Sequence, residues 1–280
     1  MPRLLRFAAN QDMLLIQKRM LPQPLLGVVK RLCPHIIFDI DDAVYLRPHL
    51  RPKIDLMLKT ATAVIAGNKT LANYASQFNP QTHILPSVVD TTHYRPAPEP
   101  RHAGDDRVII GWIGSDPNRG DLDALPAVFD WLGQTFGQKI VLQTIGKRGW
   151  EEKTALPVEF VPWTLAGSLS ALQKFDIGIM PLADTAWNRG KCGFKLIQYM
   201  AVGAAAVASP VGVNSEIIQH GVSGYLANDA EEWRIYLTQL IEDGQQRRKM
   251  GQQARQQIKE KYSTEVVLPV LAQVLHQVAA

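Results

Sequence analysis

Cysteine is scarce in this 280-residue sequence, and long uninterrupted hydrophobic runs are missing from it. The two cysteines, Cys33 and Cys192, lie far apart along the chain, which excludes a disulfide framework and a cysteine metal site. No apolar run reaches the roughly 18 residues that a transmembrane helix needs. Polar residues at positions 10–12 interrupt the apolar start of the chain, which argues against a signal peptide. These absences favour a reducing compartment, and we predict a cytoplasmic protein.

A large excess of one charge is also missing, since 30 Lys and Arg oppose 26 Asp and Glu. Basic stretches interleaved with aromatic residues, as in proteins that bind single strands, do not occur, so we predict no nucleic-acid partner. The excess that exists lies in residues 1–60, where ten Lys and Arg stand against five Asp. Such a stretch suits the inner surface of a membrane or an anionic substrate, although a solvated surface would carry the same charges.

What the sequence does contain is a regular alternation of short apolar strands with amphipathic helices. A proline-rich stretch without apolar periodicity, residues 94–104, separates two such sets. The alternation predicts an α/β protein with two Rossmann-like domains, parallel sheets and ligands at the carboxyl ends of the strands. The predicted strands are residues 13–17, 35–38, 63–66, 83–85, 108–113, 140–145, 158–161, 176–180 and 204–208.

Residues 190–203, GKCGFKLIQYMAVG, form the most informative stretch. Glycines mark a loop that follows the predicted strand 176–180 and opens a helix, whose free N–H groups and dipole suit an anion. Lys191 and Lys195 lie four positions apart, a spacing that on a helix places both ammonium groups on one face. Two cations at a helix N-terminus suit a diphosphate, although a glycine-rich loop before a helix is also ordinary α/β architecture.

Six ordered segments carry a resemblance to a known family. They are ILPSVVDTTHY at 84–94, IGWIGS at 110–115, FDIGIMPL at 175–182, the stretch 190–203, SPVGVNSEII at 209–218 and HGVSGYL at 220–226. Together they resemble the nucleotide-sugar-binding half of family 4 glycosyltransferases, over about residues 84–262. The resemblance implies the GT-B fold and transfer of a sugar from a UDP-sugar or GDP-sugar to an acceptor. It implies no cofactor, and Mg²⁺ is not expected to be essential.

The resemblance also implies which residues bind the sugar donor. The family's two glutamates, spaced E-x7-E, align with Gly190 and Gln198, and Gln198 can still hydrogen-bond a ribose hydroxyl. Lys195 is the first candidate to stabilise the leaving diphosphate, and we predict it to be catalytic. Asn214 and Glu216 begin a further helix, where plain capping is an alternative. The predicted donor-binding residues are Gly114, Ser115, Arg119, Gly190, Lys191, Gly193, Lys195, Gln198, Asn214 and Glu216, with no metal ligand.

Three carboxylates, Asp39, Asp41 and Asp42, follow the predicted strand 35–38. One interpretation is the nucleophile and Mg²⁺ site of a haloacid-dehalogenase-type phosphatase, whose further motifs we cannot assign. A second is the metal-binding DxD of the other glycosyltransferase fold. A third puts Asp39 where many family 4 enzymes carry a histidine near the acceptor, so that Asp39, Asp41 or Asp42 would orient or deprotonate an acceptor hydroxyl. The acids could also simply cap the next turn. We predict Asp39 to be catalytic.

The resemblance divides the chain into three parts. Residues 1–95 would form an acceptor-side domain, 105–262 the nucleotide-sugar-binding domain, and 263–280 a helix that crosses back to the N-terminal domain. Full-length relatives carry a longer N-terminal domain, so we expect an incomplete sheet with an exposed edge. The short form could be natural or a truncation, and the edge could pair in a homo-oligomer.

The predicted function is transfer of a sugar to a glycan or lipid-linked acceptor, in cell-surface polysaccharide or glycolipid synthesis. One alternative is a non-catalytic nucleotide-sugar-binding or assembly subunit, or a truncated fragment without turnover, which the glycine at position 190 and the short N-terminal domain favour. Another is an epimerase of sugar nucleotides, for which no specific residues are found. The sugar, the base and the stereochemical outcome stay open.

Overall fold

The computed structural model describes residues 2–98, 106–114, 121–146, 148–149, 154–165 and 167–279. The chain divides into two units. Unit 1 comprises Met1–Ser87, Asp184–Cys192 and Glu265–Ala280, and unit 2 comprises Val88–Ala183 and Gly193–Thr264.

These units differ from the predicted domains in two places. The division after Ser87 comes before the proline-rich stretch, because Val89 forms an isolated parallel bridge with Ser263 and its N–H donates to the Tyr262 carbonyl at 3.1 Å. The second difference is Asp184–Cys192, a short segment inside the predicted nucleotide-sugar-binding domain that groups with unit 1. Tertiary contacts of this segment, described below, place it there.

Strands and helices alternate along the chain, which confirms the α/β prediction. The strands are β1 (Met13–Gln17), β2 (His35–Ile40), β3 (Ala63–Ala66), β4 (Thr82–Ile84), β5 (Val108–Ile113), β6 (Ile140–Ile145), β7 (Val158–Val161), β8 (Ile177–Met180), β9 (Ala205–Ala208) and β10 (Tyr225–Leu226). The helices are α1 (Pro2–Ala8), α2 (Gln23–Leu32), α3 (Arg51–Thr60), α4 (Lys69–Ala75), α5 (Pro126–Phe136), α6 (Gly167–Leu172), α7 (Ala186–Arg189), α8 (Phe194–Ala201), α9 (Asn214–Ile217), α10 (Ala230–Glu242), α11 (Gly244–Lys261) and α12 (Thr264–Ala279). The sequence did not predict α1 or α7.

Unit 1 is built on a parallel sheet with the strand order β1-β2-β3-β4. Alternate side chains of its strands, such as Leu14, Phe38 and Val64, are buried in one core with residues of α2, α3 and α4. Pro34 follows α2 and prevents its extension, so the chain turns directly into β2. The carboxyl ends of β1, β2 and β3 therefore lie at one edge of the sheet, where ligands of such folds bind.

Unit 2 is built on a parallel sheet with the strand order β10-β9-β8-β5-β6-β7. Every residue of β5, β6, β8 and β9 is buried, because apolar clusters cover both faces of this sheet. Continuous apolar strands of this kind are typical of parallel sheets with helices on both sides.

Helix α8 packs unusually closely on this sheet. A Cβ atom at Gly178 of β8 would lie 2.4 Å from the ring of Tyr199, so only glycine permits this approach. The Tyr199 hydroxyl accepts a hydrogen bond from the Ile113 N–H at 3.0 Å. This bond ties α8 to the carboxyl end of β5, and it fixes the position of the helix N-terminus relative to that edge of the sheet.

Among the described helices, none is both long enough and apolar enough to cross a bilayer.

Candidate functional site

Helix α8 follows a glycine in the left-handed conformation. Gly193 has φ +68° and is the N-cap, and it has no side chain to accept hydrogen bonds from the first-turn N–H groups. A Cβ atom at this position would lie 2.2 Å from the Ile217 Cδ1 atom, so a larger residue would strain the backbone and displace the Ile217 side chain. The helix therefore presents its first-turn backbone N–H groups and the positive end of its dipole without a side-chain cap from Gly193.

Lys195, in the first turn of α8, lies at the carboxyl end of β5. Its Nζ atom is 2.9 Å from the Asp121 Oδ2 atom, and the two side chains are 14% and 8% exposed. The same ammonium group lies 4.3 Å from the centre of the Trp112 ring, a cation–π contact with a residue of β5. Sequence reasoning missed Asp121, because its pairing with Lys195 spans 74 positions.

Lys191 does not lie on this helix, so the prediction that Lys191 and Lys195 share a helical face is wrong. The segment Asp184–Cys192 groups with unit 1, and the Lys191 N–H donates to the Asn188 carbonyl at 3.1 Å, in a turn that follows α7. The left-handed Gly193 then separates this turn from α8. The four-residue spacing of Lys191 and Lys195 therefore spans a break in the helix.

Two further predicted positions lie within unit 2. Gln198 is 7% exposed, and its Nε2 atom donates to the Tyr94 hydroxyl at 3.1 Å. Gly114 follows β5 directly, and its N–H donates to the Ile145 carbonyl at 3.0 Å. Ser115 and Arg119 lie outside the described residues.

Asn214 and Glu216 belong to the short helix α9. The N-cap of α9 is Val213, so Asn214 does not have the capping role offered as the alternative. Asn214 is 1% exposed, and its Nδ2 atom donates to the Ser209 carbonyl at 3.0 Å, which holds the turn after β9. Glu216 is exposed in the first turn of α9.

A second group of polar residues lies in unit 1, at the carboxyl ends of β1 and β2. Asp39 accepts a hydrogen bond from the Gln17 Nε2 atom at 2.9 Å. Lys18 has φ 57°, a conformation that is strained for a non-glycine residue, and its ammonium group forms an ion pair with Asp41. Sequence reasoning missed Lys18, because no local pattern marks it.

Burial and mutual repulsion shift the ionisation of this acidic group. Burial raises the pKa of Asp39, and the hydrogen bond from Gln17 opposes the shift. Burial and the charge of Asp41 raise the pKa of Asp42. Burial alone would lower the pKa of Lys18, but the ion pair with Asp41 and the charges of Asp42 and Asp39 together outweigh burial, and the pKa is raised. Raised carboxyl pKa values favour proton acceptance near neutral pH, which suits a general base.

A cavity of about 40 Å³ lies beside these acids, with room for a few water molecules. Within the described ranges, no group of three or more His, Cys, Asp and Glu has the geometry to hold a metal ion. The cavity is lined by Lys18, Met20, Phe38, Ile40, Asp41, Asp42, Val44 and Ile54.

Gly190 lies in the loop of unit 1 that contains α7. A Cβ atom at this position would lie 2.6 Å from the Ala43 Cβ atom, so the loop packs closely against the turn that follows β2. The Gly190 carbonyl accepts a hydrogen bond from the Asn68 Nδ2 atom at 2.9 Å. Asn68 is also the N-cap of α4, where its side-chain oxygen accepts a hydrogen bond from the Leu71 N–H.

Residues 107–243 match the family model described as "Glycosyl transferases group 1". Among curated proteins, N-acetyl-alpha-D-glucosaminyl L-malate synthase of Bacillus anthracis is 32% identical over 78 residues, which are 27% of this chain and 20% of that protein. The aligned part thus spans about a fifth of the curated relative's length.

Solved structures resemble the chain over nearly its whole length. Anabaena HepE, in complex with UDP-glucose, has a TM-score of 0.76 at 18% identity, covering 99% of this chain and 81% of that one. Sucrose-phosphate synthase of Thermosynechococcus elongatus has a TM-score of 0.72 at 15% identity, covering 99% and 77%. At these identities the likeness shows the fold, which is GT-B. Residues 107–243 are therefore similar to a group 1 glycosyltransferase domain, and the fold of the chain is GT-B.

Proposed function

We propose that this protein transfers a sugar from a UDP-sugar to a glycan or lipid-linked acceptor, in cell-surface polysaccharide or glycolipid synthesis. The observation that carries the proposal is the N-terminus of α8. It lies inside the segment that matches glycosyltransferases, its N-cap Gly193 offers no side chain, and Lys195 lies in its first turn. Such an arrangement suits a diphosphate, which is the leaving group of a nucleotide sugar.

In this proposal the protein stabilises charge that develops on the diphosphate. The first-turn N–H groups of α8 and the Lys195 ammonium group would bind the phosphate oxygens, with stronger bonds as the glycosidic bond breaks. Gln198 would exchange its bond with Tyr94 for one to the ribose. Structures of Anabaena HepE in complex with UDP and with UDP-glucose support uridine as the base.

The acceptor would be activated in unit 1. Asp39 is a carboxylate at the carboxyl end of a parallel strand with a raised pKa, which are the properties of a group that accepts a hydroxyl proton. The Gln17 amide fixes its orientation. We therefore propose that Asp39 orients or deprotonates the acceptor hydroxyl.

Calorimetric titration with UDP, GDP and their sugars tests the sugar-donor site. We expect UDP to bind at least about tenfold more tightly than GDP, and EDTA to leave the affinity unchanged because no step of the proposal needs a metal. Binding without turnover on any acceptor would favour a non-catalytic subunit. Conversion of the nucleotide sugar without an acceptor would favour an epimerase. A folded protein that binds neither nucleotide would contradict the proposal.

We also propose that unit 1 binds an anionic membrane surface, which would bring it to a lipid-linked acceptor. Helices α1 and α2 expose Phe7, Val28 and Leu32, whose side chains are 40–57% accessible. Residues 1–38 contain six Lys or Arg and one Asp. Exposed apolar side chains among cations are typical of surfaces that insert into anionic lipid.

Flotation with lipid vesicles tests this surface. We expect the protein to bind phosphatidylcholine vesicles that contain phosphatidylglycerol, and not phosphatidylcholine alone. Arg3→Glu combined with Arg6→Glu should abolish the binding and leave UDP affinity unchanged. The matched control, Arg248→Glu with Lys249→Glu on α11 of unit 2, should still bind. Equal loss of vesicle binding in both variants would mean a general charge effect, not a surface on unit 1.

The prediction of a homo-oligomer is tested by measuring the molar mass of the protein in light scattering.

A further inference from the structure

The carboxamide of Asn68 connects two elements of unit 1 that are far apart in sequence. Its Oδ1 atom accepts a hydrogen bond from the Leu71 N–H at 2.9 Å and so caps α4. Its Nδ2 atom donates to the carbonyl oxygens of Gly190 at 2.9 Å and Lys191 at 3.2 Å, and lies 3.5 Å from the Cys192 Sγ atom. The residue is 3% exposed, so these bonds form away from water.

Close packing supports the same loop from the other side. The Cys192 Sγ atom donates to the Asp41 carbonyl at 3.1 Å. A Cβ atom at Gly67 would lie 2.3 Å from that sulfur, so glycine leaves the space that Cys192 occupies. Burial raises the pKa of Cys192 to about 12, so the sulfur remains a thiol that can donate this bond. Residues 190–192 are therefore held at three consecutive positions.

The amide of Asn68 is needed for the loop and not for the helix cap. Capping uses only the side-chain oxygen, which Asp, Ser or Thr would supply equally well. The two carbonyl acceptors need N–H donors, and among the common capping residues only Asn offers two of them. A buried carbonyl that loses its hydrogen-bond donor is destabilised, so an Asp at this position would keep the cap and release the loop.

We propose that Asn68 is a positioning residue for the nucleotide-sugar site, because it holds Gly190–Cys192 in the conformation that leads into the N-terminus of α8. The chain passes from Cys192 directly to Gly193, whose φ of +68° sets the direction of the first turn. The inference rests on the proposed function, since it assumes that a diphosphate binds at α8.

Two isosteric variants distinguish an effect on the position of the loop from an effect on the stability of the protein. Asn68→Asp keeps the cap of α4 and removes the amide donors to the loop. Asn79→Asp is the matched control, because Asn79 is 5% exposed in the same unit and its Nδ2 atom donates to the Leu58 and Ala61 carbonyls at 3.0 and 2.8 Å. Its Oδ1 atom likewise accepts a backbone bond, from the Gln81 N–H at 2.9 Å. Both variants should lower the melting temperature by similar amounts.

UDP affinity and hydrogen exchange of the nucleotide-free protein are then measured on both variants. We expect Asn68→Asp to weaken UDP binding at least about tenfold and to raise amide exchange of residues 189–193 by a similar factor, with Asn79→Asp near wild type in both. Gly67→Ala, which displaces Cys192 and leaves Asn68 intact, should weaken UDP binding in the same direction.

Any other result contradicts a specific part of the proposal. Equal losses of UDP affinity in Asn68→Asp and Asn79→Asp would reduce Asn68 to a structural residue. Unchanged UDP affinity in Asn68→Asp would refute the positioning role, even if the loop exchanges faster. If the wild-type protein binds no nucleotide, the proposed function fails, and the positioning role fails with it; exchange at residues 189–193 then reports only whether Asn68 holds the loop.

Discussion

Replacement of Lys195 by Met is expected to weaken UDP binding at least about tenfold, and to lower the free energy of unfolding by about 3 kcal/mol. The first effect follows from the loss of a cation beside the diphosphate. The second follows from burial, because Asp121 is only 8% exposed and would lose the ammonium group 2.9 Å away. Calorimetric titration measures the affinity, and urea unfolding measures the stability.

A double variant separates these two effects. Lys195→Met combined with Asp121→Asn removes the buried carboxylate charge, so we expect stability to recover by most of the loss. UDP affinity should stay low, because the cation is still absent. Lys139→Met is the control, since Lys139 is exposed and precedes β6, at the opposite edge of the sheet from the α8 N-terminus. If the double variant binds UDP as tightly as wild type, Lys195 has a structural role only.

Replacement of Asp39 by Asn is expected to lower kcat by about 100-fold or more, with UDP affinity unchanged. The amide oxygen can still accept the bond from Gln17, so the local geometry is kept while the proton-accepting carboxylate is removed. With wild-type protein, kcat should fall as the pH is lowered through the raised pKa of Asp39, because only the ionised form accepts a proton. A steady-state pH profile measures both effects.

The same variant has a distinct signature in stability. Burial raises the pKa of Asp39 in the folded chain, so this group favours folding fully below its unfolded pKa and loses that contribution as the pH rises through the folded value. Asp39→Asn does not titrate, so its unfolding free energy relative to wild type should increase from acid to neutral pH. A loss of turnover with lowered stability at neutral pH would indicate misfolding, not loss of a base.

Asp41→Asn is the comparison for the acceptor side. The Asp41 carboxylate forms an ion pair with Lys18, so a contact with the acceptor hydroxyl would have to compete with that ion pair. We expect the kcat of Asp41→Asn to stay within about fivefold of wild type. If Asp41→Asn abolishes turnover and Asp39→Asn does not, the role belongs to Asp41.

The strands and the fold class could be predicted because each depends on local patterns. The predicted strands at 13–17, 63–66, 108–113, 140–145 and 158–161 coincide with those of the structure. Fully buried strands of a parallel sheet appear in sequence as short apolar runs between turns, whatever their partners are. Helix α1 was missed because its seven residues have no side-chain cap signal and little periodicity.

The glycine-rich stretch at 190–203 shows what local patterns cannot give. Its composition and order predicted an anion-binding helix, and α8 with its left-handed Gly193 lies there. The spacing of Lys191 and Lys195 suggested one continuous helix, although the chain breaks between them and the preceding segment groups with unit 1. A spacing specifies a helical face only where the backbone is helical, and here Gly193 interrupts it.

The sequence by itself therefore determined the two parallel sheets, the nucleotide-sugar resemblance and the helix that would hold a diphosphate. Only the tertiary structure decided the partners of the polar groups: Asp121 for Lys195, Gln17 for Asp39, and the Gly190 and Lys191 carbonyls for Asn68. Apolar periodicity indicates which residues are buried, and burial does not depend on which distant residue each side chain contacts. Hydrogen bonds and ion pairs join specific atoms across 22 to 123 positions, and no local pattern specifies such pairs.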